Sequence, residues 1–289
     1  MNRLDTNLHE SAFDIWSDEM SYWLGFIAAD GSIKRDRAML SVRLTLGDKE
    51  HLEKLRIFIG SELALKDYTY KKYKYTELAV TSKYLKDRLV SLGILPNKSN
   101  QNIDFLSYVP HDFKLPFILG YFDGDGCWVR DVKKSQVIGI NFCGNFSLLS
   151  SIQDYMNTEH SFTFRLGTLG FMAHSLDASS LKDICKFAEC HASLGDLALQ
   201  RKRELSLGVL NQTYIATCTN CKKVISNRNS TGFCNNCFNK SRTKSNKPTS
   251  EELAHLLKTI NNYSALGRHF GVSDNTIRKW AKSYGLLQG

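Results

Sequence analysis

One pattern of apolar positions occurs twice in the first two thirds of the chain. The stretches are Trp23-Leu24-Gly25-Phe26-Ile27-Ala28-Ala29-Asp30-Gly31 and Ile118-Leu119-Gly120-Tyr121-Phe122-Asp123-Gly124-Asp125-Gly126. Both hold an aliphatic residue, a Gly, two large apolar residues, a small residue four after the Gly, and then Asp-Gly. The Asp-Gly pairs lie 95 residues apart, so this region reads as two similar halves. Each stretch is an apolar run of helical length, closed by a Gly where a left-handed C-cap is expected.

The periods between the two runs predict helix, two strands, helix, two strands, helix. A strand starts over Ser32 to Arg35 and turns near Asp36. Ser41-Val42-Arg43-Leu44-Thr45-Leu46 alternates, with Val42, Leu44 and Leu46 toward a core. Asp48 to Ile59 is an amphipathic helix with Leu52, Leu55 and Ile59 on one side. Strands follow near Ala64 to Tyr70 and Tyr75 to Thr81, and Ser82 caps a helix reaching about Leu92. After the link Gly93 to Ser99 the order repeats. A motif helix runs from about Asp112 to Asp125, with strands near 127–132 and 136–143 and a helix from Asn145 to about Asn157. Strands near 161–166 and 169–176 and a helix from about Ser179 to Glu189 complete it.

Gly25 and Ala29 are four apart, as are Gly120 and Gly124, which puts two small residues on one face of each helix. Such faces let two backbones approach closely. If they pack on each other, Asp30 and Asp125 end side by side, where two carboxylates repel unless a cation lies between them.

These residues resemble the LAGLIDADG homing endonucleases of the single-chain, two-motif kind, over roughly residues 17 to 205. The resemblance implies an α+β fold of two pseudo-symmetric αββαββα halves, 1–97 and 98–210, whose sheets form a DNA-binding saddle. It implies that Asp30 and Asp125 bind divalent metal, expected to be Mg²⁺, and that the activity is a staggered double-strand cut. Ala28 departs from the family, which often has an acid there; Asp123 is the matching residue in the second copy. Leu95-Pro96-Asn97-Lys98-Ser99 resembles the segment upstream of the family's second motif, and Leu199-Gln200-Arg201-Lys202-Arg203 its closing Arg-Lys segment. Lys98 and Lys202 are therefore expected as catalytic-site lysines. Arg43, Lys72, Lys74, Arg130 and Lys133 are candidates for the groove-facing sheet surface.

Charge sharpens the division of the chain. The net charge is +9, but residues 201–289 hold 15 Lys+Arg against 4 Asp+Glu, while residues 1–200 hold 23 against 25. The positive field belongs to the C-terminal third, the footprint expected of a nucleic-acid contact. There Cys218, Cys221, Cys234 and Cys237 form CxxC-x₁₂-CxxC, the spacing of a structural Zn²⁺ site in a module over 214–240. A segment that short has too little core to fold without its metal. Cys127, Cys143, Cys185 and Cys190 read as ordinary buried thiols. A polar basic linker over 241–249 precedes a helix-turn-helix over 250–289. In it Ser250 caps the first helix and Gly271 makes the turn. Leu266, Phe270, Val272, Ile277 and Trp280 form the core. The recognition helix starts near Ser273 or Asp274 and presents Asn275, Thr276, Arg278 and Lys279 to DNA. His269 reads as a surface residue.

No apolar run is long enough for a membrane helix, and the eight Cys without a secretory signal suggest reduced thiols or metal ligands. The expected protein is a cytoplasmic monomer acting on a long asymmetric duplex target, of the kind carried by introns or phages. Starting at Met1 and lacking a terminal His-Asn, it is expected to stand free of an intein. Two other readings share the scaffold: a non-catalytic transcription regulator, disfavoured by the presence of both acids, and an RNA-splicing maturase.

Overall fold

The structure is a computed structural model that describes residues 7–131, 133, 136–170, 173–211, 218–223, 225, 232–243, 247–260 and 262–286. The chain forms two compact units, Met1–Thr213 and Tyr214–Gly289.

The first unit is built on two crossing helices, α1 (Asp18–Asp30) and α4 (Lys114–Asp125). Ser17 starts α1, its hydroxyl accepting from the Met20 amide at 3.1 Å. Almost every residue of both helices between Met20 and Ala28, and between Phe117 and Asp123, is buried. The glycines make this possible. A Cβ on Gly25 would fall on the Phe117 carbonyl, one on Gly120 on the Tyr22 carbonyl, and one on Gly124 on the Ala29 methyl. The backbones therefore touch where the small-residue faces meet, as their spacing predicts.

Two four-stranded antiparallel sheets flank this pair, giving an α+β fold. One has β1 (Gly31–Ile33), β2 (Met39–Thr45), β3 (Lys66–Tyr70) and β4 (Tyr73–Thr81) in the order β1-β2-β4-β3. The other has β5 (Gly126–Asp131), β6 (Gln136–Gly144), β7 (Arg165–Thr168) and β8 (His174–Ala178) in the order β5-β6-β8-β7. Gly31 pairs with Val42, and Gly126 with Phe142, so the two halves share one register at the end where Asp30 and Asp125 lie. The inner faces bury Val42, Leu44, Leu78 and Val80 in one half, and Ile140, Phe142 and Leu176 in the other. They are covered by α2 (Lys49–Phe58), α3 (Lys83–Ser91), α5 (Phe146–Thr158) and α6 (Leu181–Ala192). A last helix, α7 (Gln200–Asn211), packs on α6. One continuous core joins both halves, with Phe122 edge-on to Trp128, Phe142 and Phe187 at 4.8–5.4 Å.

Three expectations change in the first unit. Gly31 and Gly126 are not left-handed caps: their φ values are −76° and −98°, in extended backbone. Glycine is needed there for space, since a Cβ would stand 2.6 Å from the Ile27 carbonyl at Gly31 and 2.7 Å from the Phe122 carbonyl at Gly126. Cys127 and Cys143 are exposed rather than buried, because both lie on the outer face of the second sheet; Cys185 and Cys190 are half-buried. The strands predicted at 161–166 and 169–176 are displaced along the chain, to β7 and β8, because Phe162 and Phe164 are drawn into the core before the strand begins.

In the second unit, α8 (Asn235–Thr243) extends into the stretch expected as a linker, of which 244–246 lie outside the described residues. Then come α9 (Ser250–Ile260), α10 (Tyr263–Phe270) and α11 (Asp274–Ser283). Thr249, not Ser250, starts α9: its hydroxyl accepts from the Glu252 amide while the Glu252 carboxylate accepts from the Thr249 amide, a reciprocal capping box. Gly271 turns the chain in the left-handed region at φ 66°, and Ser273 caps α11. Leu253, Leu266, Ile277 and Ala281 form the buried centre, with Phe270, Val272 and Trp280 around it.

Candidate active site and nucleic-acid interface

Asp30 ends α1, Asp125 ends α4, and the crossing of these helices brings the two acids together. The position a Cβ would take on Gly124 lies 3.4 Å from Oδ2 of Asp30, so the first acid rests against the helix carrying the second. Burial and the charge of Asp125 raise Asp30 from the ordinary 3.8 to about 6. Burial also raises Asp125, against the opposing pull of Lys98 and Lys202. The Tyr121 hydroxyl, which donates to the Cys143 carbonyl at 2.9 Å, stands beside Asp125 and lowers it.

Neither helix has a basic residue in its last turn, so the cation that favours a helix C-terminus comes from elsewhere. Lys98, on a 3-10 turn over Lys98–Asn100, donates to the carbonyls of Ala28 and Ala29, each at 2.6 Å. Lys202, on α7, donates to the carbonyls of Phe122, Asp123 (2.8 Å) and Gly126 (2.6 Å). All three ammonium protons of Lys202 are thus directed at main-chain oxygens on either side of Asp125. Lys202 is buried, and burial lowers it from 10.5 to about 8; Lys98 is half-buried and lowered for the same reason. A cleft of about 220 Å³ opens beside this end, lined by Ala28, Ala29, Lys98, Tyr121, Asp125 and Cys143 among others. Two mutually repelling carboxylates beside open space are a donor set that fits a hard divalent cation such as Mg²⁺.

The strand registers show which candidates share a surface. Arg43 lies opposite Glu77, and Lys66, Tyr68 and Tyr75 fall on the same outer face. Arg43 is 3.7 Å from Glu77 and lies over the Tyr68 ring. Lys72 sits in the β3–β4 turn over Tyr73, but Lys74 pairs with Thr69 and falls on the opposite face from Arg43. On the second sheet Arg130 is exposed beyond a bulge between Val129 and Arg130, and Lys133 is exposed in the following turn. Period-2 reasoning over β6, β7 and β8 would have found the outer-face residues it passed over, Asn141, Arg165, Ser175 and Asp177. Asn141 donates to Asp177 at 2.7 Å, and Arg165 lies opposite Asp177.

On α11 the exposed polar stripe is Asn275, Arg278, Lys279 and Lys282. Thr276 is half-buried, its hydroxyl 3.0 Å from that of Ser273 in the cap, and Arg278 lies over the Tyr263 ring. Lys282, a turn beyond Arg278, completes the stripe and was legible at i+4. The Sγ atoms of Cys218, Cys221, Cys234 and Cys237 all lie within 4.8 Å of one another. Backbone N–H groups around Cys234 and Cys221 hold Cys218 down at about 6. Thiolates so closely grouped fit tetrahedral Zn²⁺.

Sequence reasoning also missed a buried polar cluster beneath the acids: Tyr22, His51, Asp123, His191 and Ser206. Its one signal was Asp123 standing where the first copy has Ala28.

No protein-family model and no curated protein matches this sequence. Among solved structures, full-length DUF199/WhiA from Thermatoga maritima is similar at 15% identity and TM-score 0.45, covering 96% of this chain and 94% of that one. The LAGLIDADG meganuclease I-AabMI bound to uncleaved DNA is similar at 15% identity and TM-score 0.45, over 65% of this chain and 88% of that one. The I-LtrWI LAGLIDADG homing endonuclease bound to target DNA is similar at 13% and 0.44, over 66% and 89%.

Proposed function

We propose that this protein is a site-specific double-strand DNA endonuclease of the LAGLIDADG homing kind, in which Asp30 and Asp125 hold the catalytic divalent metal. The observation that supports this best is the pair of acids at the C-termini of two touching helices, each with a lysine of its own and a sheet on its flank. Mg²⁺ bound there supplies an activated water and charge stabilisation at the scissile phosphate. The chain's own residues do the rest. Asp30 and Asp125 would hold the metal as carboxylates, any proton they carry passing to solvent, and the raised proton affinity of Asp30 makes that binding stronger at neutral pH than in acid. Lys98 and Lys202 fix the helix ends and keep positive charge beside the phosphate. The outer sheet faces, with Arg43, Lys72, Arg130 and Lys133, follow the duplex of a long asymmetric target as a monomer. The helix-turn-helix over 250–289, which follows the Zn²⁺ module over 214–240, adds binding energy through Asn275, Thr276, Arg278 and Lys279. Among the described residues no helix is long and apolar enough to cross a membrane.

The test is cleavage of DNA from the locus flanking the gene, with the inserted gene removed. One Mg²⁺-dependent double-strand cut is expected, absent in EDTA and in Asp30→Asn with Asp125→Asn, while binding persists. A second reading, a regulator that binds the same DNA without cutting, is favoured by one feature: both lysines are already directed at main-chain carbonyls. Tight specific binding with no cut under any divalent metal would establish it. Retention of that binding after removal of residues 250–289 would argue against a role for α11.

A further inference from the structure

Asp123 lies two residues before Asp125, wholly inside the core, with its carboxylate out of reach of solvent. A carboxylate so placed must be fully bonded. It accepts from the Tyr22 hydroxyl of α1 at 2.6 Å, the His191 Nε2 of α6 at 2.9 Å, and the main-chain N–H of Leu199 at 2.8 Å. Leu199 is the residue from which α7 starts, its carbonyl accepting from the amides of Lys202 and Arg203 at 2.9 and 3.0 Å. Asp123 therefore holds the first turn of the helix that carries Lys202.

The hold is repeated one turn later. His191 Nδ1 is 2.7 Å from the Ser206 hydroxyl, which donates to the carbonyl of Lys202 at 3.1 Å. Trp128 donates its indole N–H to the same carbonyl at 3.2 Å. Leu199, Lys202 and Ser206 stand at i, i+3 and i+7, on one face of α7. The lysine is pinned between two points that both trace back to one carboxylate. Among the described residues the first half has no such arrangement, because Ala28 occupies the matching position and Lys98 projects from a short 3-10 turn.

We infer that Asp123 is a positioning residue: it sets Lys202 on the second half-site through an anchor of α7 that the first half-site lacks for Lys98. This rests on the endonuclease reading given above. It implies that the cuts on the two DNA strands respond separately to damage in this cluster.

The experiment resolves the two strands of an end-labelled duplex, cut from the same flanking locus, with full-length wild type, Asp123→Ala, Asp123→Asn and Lys202→Met in Mg²⁺. Asp123→Ala copies the first half. It is expected to slow one strand by at least about 100-fold, leave the other within about threefold, and so accumulate a nicked duplex. Lys202→Met should spare the same strand. Asp123→Asn should restore both cuts, since its carbonyl can still accept from Tyr22 and Leu199 while its amide donates to a His191 protonated on Nδ1. Equal slowing of both strands, unimpaired cutting by Asp123→Ala, or opposite strand choice by the two variants would overturn the inference.

A second measurement separates it from the nuclease reading. Amide hydrogen exchange over residues 199–206 should speed up by at least tenfold in Asp123→Ala, with residues 98–101 unchanged. Unchanged exchange at 199–206 overturns the positioning role even if the protein cuts DNA. Faster exchange there in a wild type that cuts no DNA removes the nuclease and keeps the anchoring of α7. If Asp123→Ala does not fold, Ser206→Ala removes only the outer link. The same strand preference at smaller size, and faster exchange over 202–206, are then expected, and absence of both is the overturning result.

Discussion

The two halves of the first unit carry the same acid on the same helix end, yet they hold their lysines in different ways. In the first half Lys98 leans from a loop onto two carbonyls of α1. In the second Lys202 is buried on a helix, bonded to three carbonyls, and backed by a network reaching Tyr22 across the pseudo-symmetry. A repeat can thus preserve the chemistry at its surface while the support beneath it diverges. The shared parts are those that geometry forbids to vary. The divergent parts are those for which a helix end has more than one way to satisfy its carbonyls.

Breaking the shared part should have the largest effect. Gly25→Val and Gly120→Val each drive a branched side chain into the partner's backbone, which has no flexible end to move. Each should lose about 4 kcal/mol or more, enough to unfold the first unit, as read by urea denaturation. Gly47, with open space around the position of its Cβ, is the control: Gly47→Ala should change stability by less than about 0.5 kcal/mol.

The lysines sharpen the difference. Lys202→Met takes a buried ammonium from three carbonyls, of which that of Phe122 keeps the Gly126 amide as donor, and should cost about 3 kcal/mol. Lys98→Met frees two carbonyls of residues that line the open cleft, where water can enter, and should cost about 1 kcal/mol. Equal losses in urea denaturation would show the two supports to be equivalent after all.

How much of this was legible follows from what each pattern encodes. The helix pair could be read because glycine four residues from a small residue has few uses beyond close approach. The strand order could be read from period 2 except at β7 and β8, where Phe162 and Phe164 prolong an apolar pattern without pairing. The cap at α9 was placed one residue late because Thr249 and Ser250 are both good N-caps, and only Glu252 three residues on discriminates between them. The acids were found by their repetition. The cluster beneath them was hidden because Tyr22, Asp123, His191 and Leu199 come from four places in the chain, and no spacing joins them.

The acids themselves should respond with opposite signs in stability and activity. Because Asp30 holds its proton up to about pH 6 when folded, against 3.8 ordinarily, the folded state binds more protons between those values. The contribution of Asp30 to the stability of the metal-free protein should therefore be least unfavourable below about pH 4, grow more unfavourable as pH rises to about 6, and stay flat above. Allowing for solvent at this half-buried site, the fall is about 2 kcal/mol. Asp30→Asn removes it, so the variant should be more stable than wild type at pH 7 by that amount and no different at pH 4. Saturating Mg²⁺ should stabilise the wild type at pH 7 and leave the variant less affected. Thermal melts across pH, with and without Mg²⁺, decide both points.

The sheets offer the finest comparison. The outer face of the first carries Arg43 and Lys66 among tyrosines, whereas the centre of the second carries Asn141, Cys143 and Asp177 around Arg165. A duplex lying across both should thus be held mainly by charge on one side and by directional hydrogen bonds on the other. Arg43→Ala should weaken binding by about 1 kcal/mol for every sequence and reduce the slope of log K against log salt by about one. Asn141→Ala should leave that slope unchanged and relax base preference at one position in the second half of the target. Salt titrations of the two variants on one matched and one mismatched duplex would separate the effects. Equal slopes for Arg43→Ala and wild type would mean that the Arg43 guanidinium, already 3.7 Å from Glu77 and over Tyr68, stays with those partners when DNA binds.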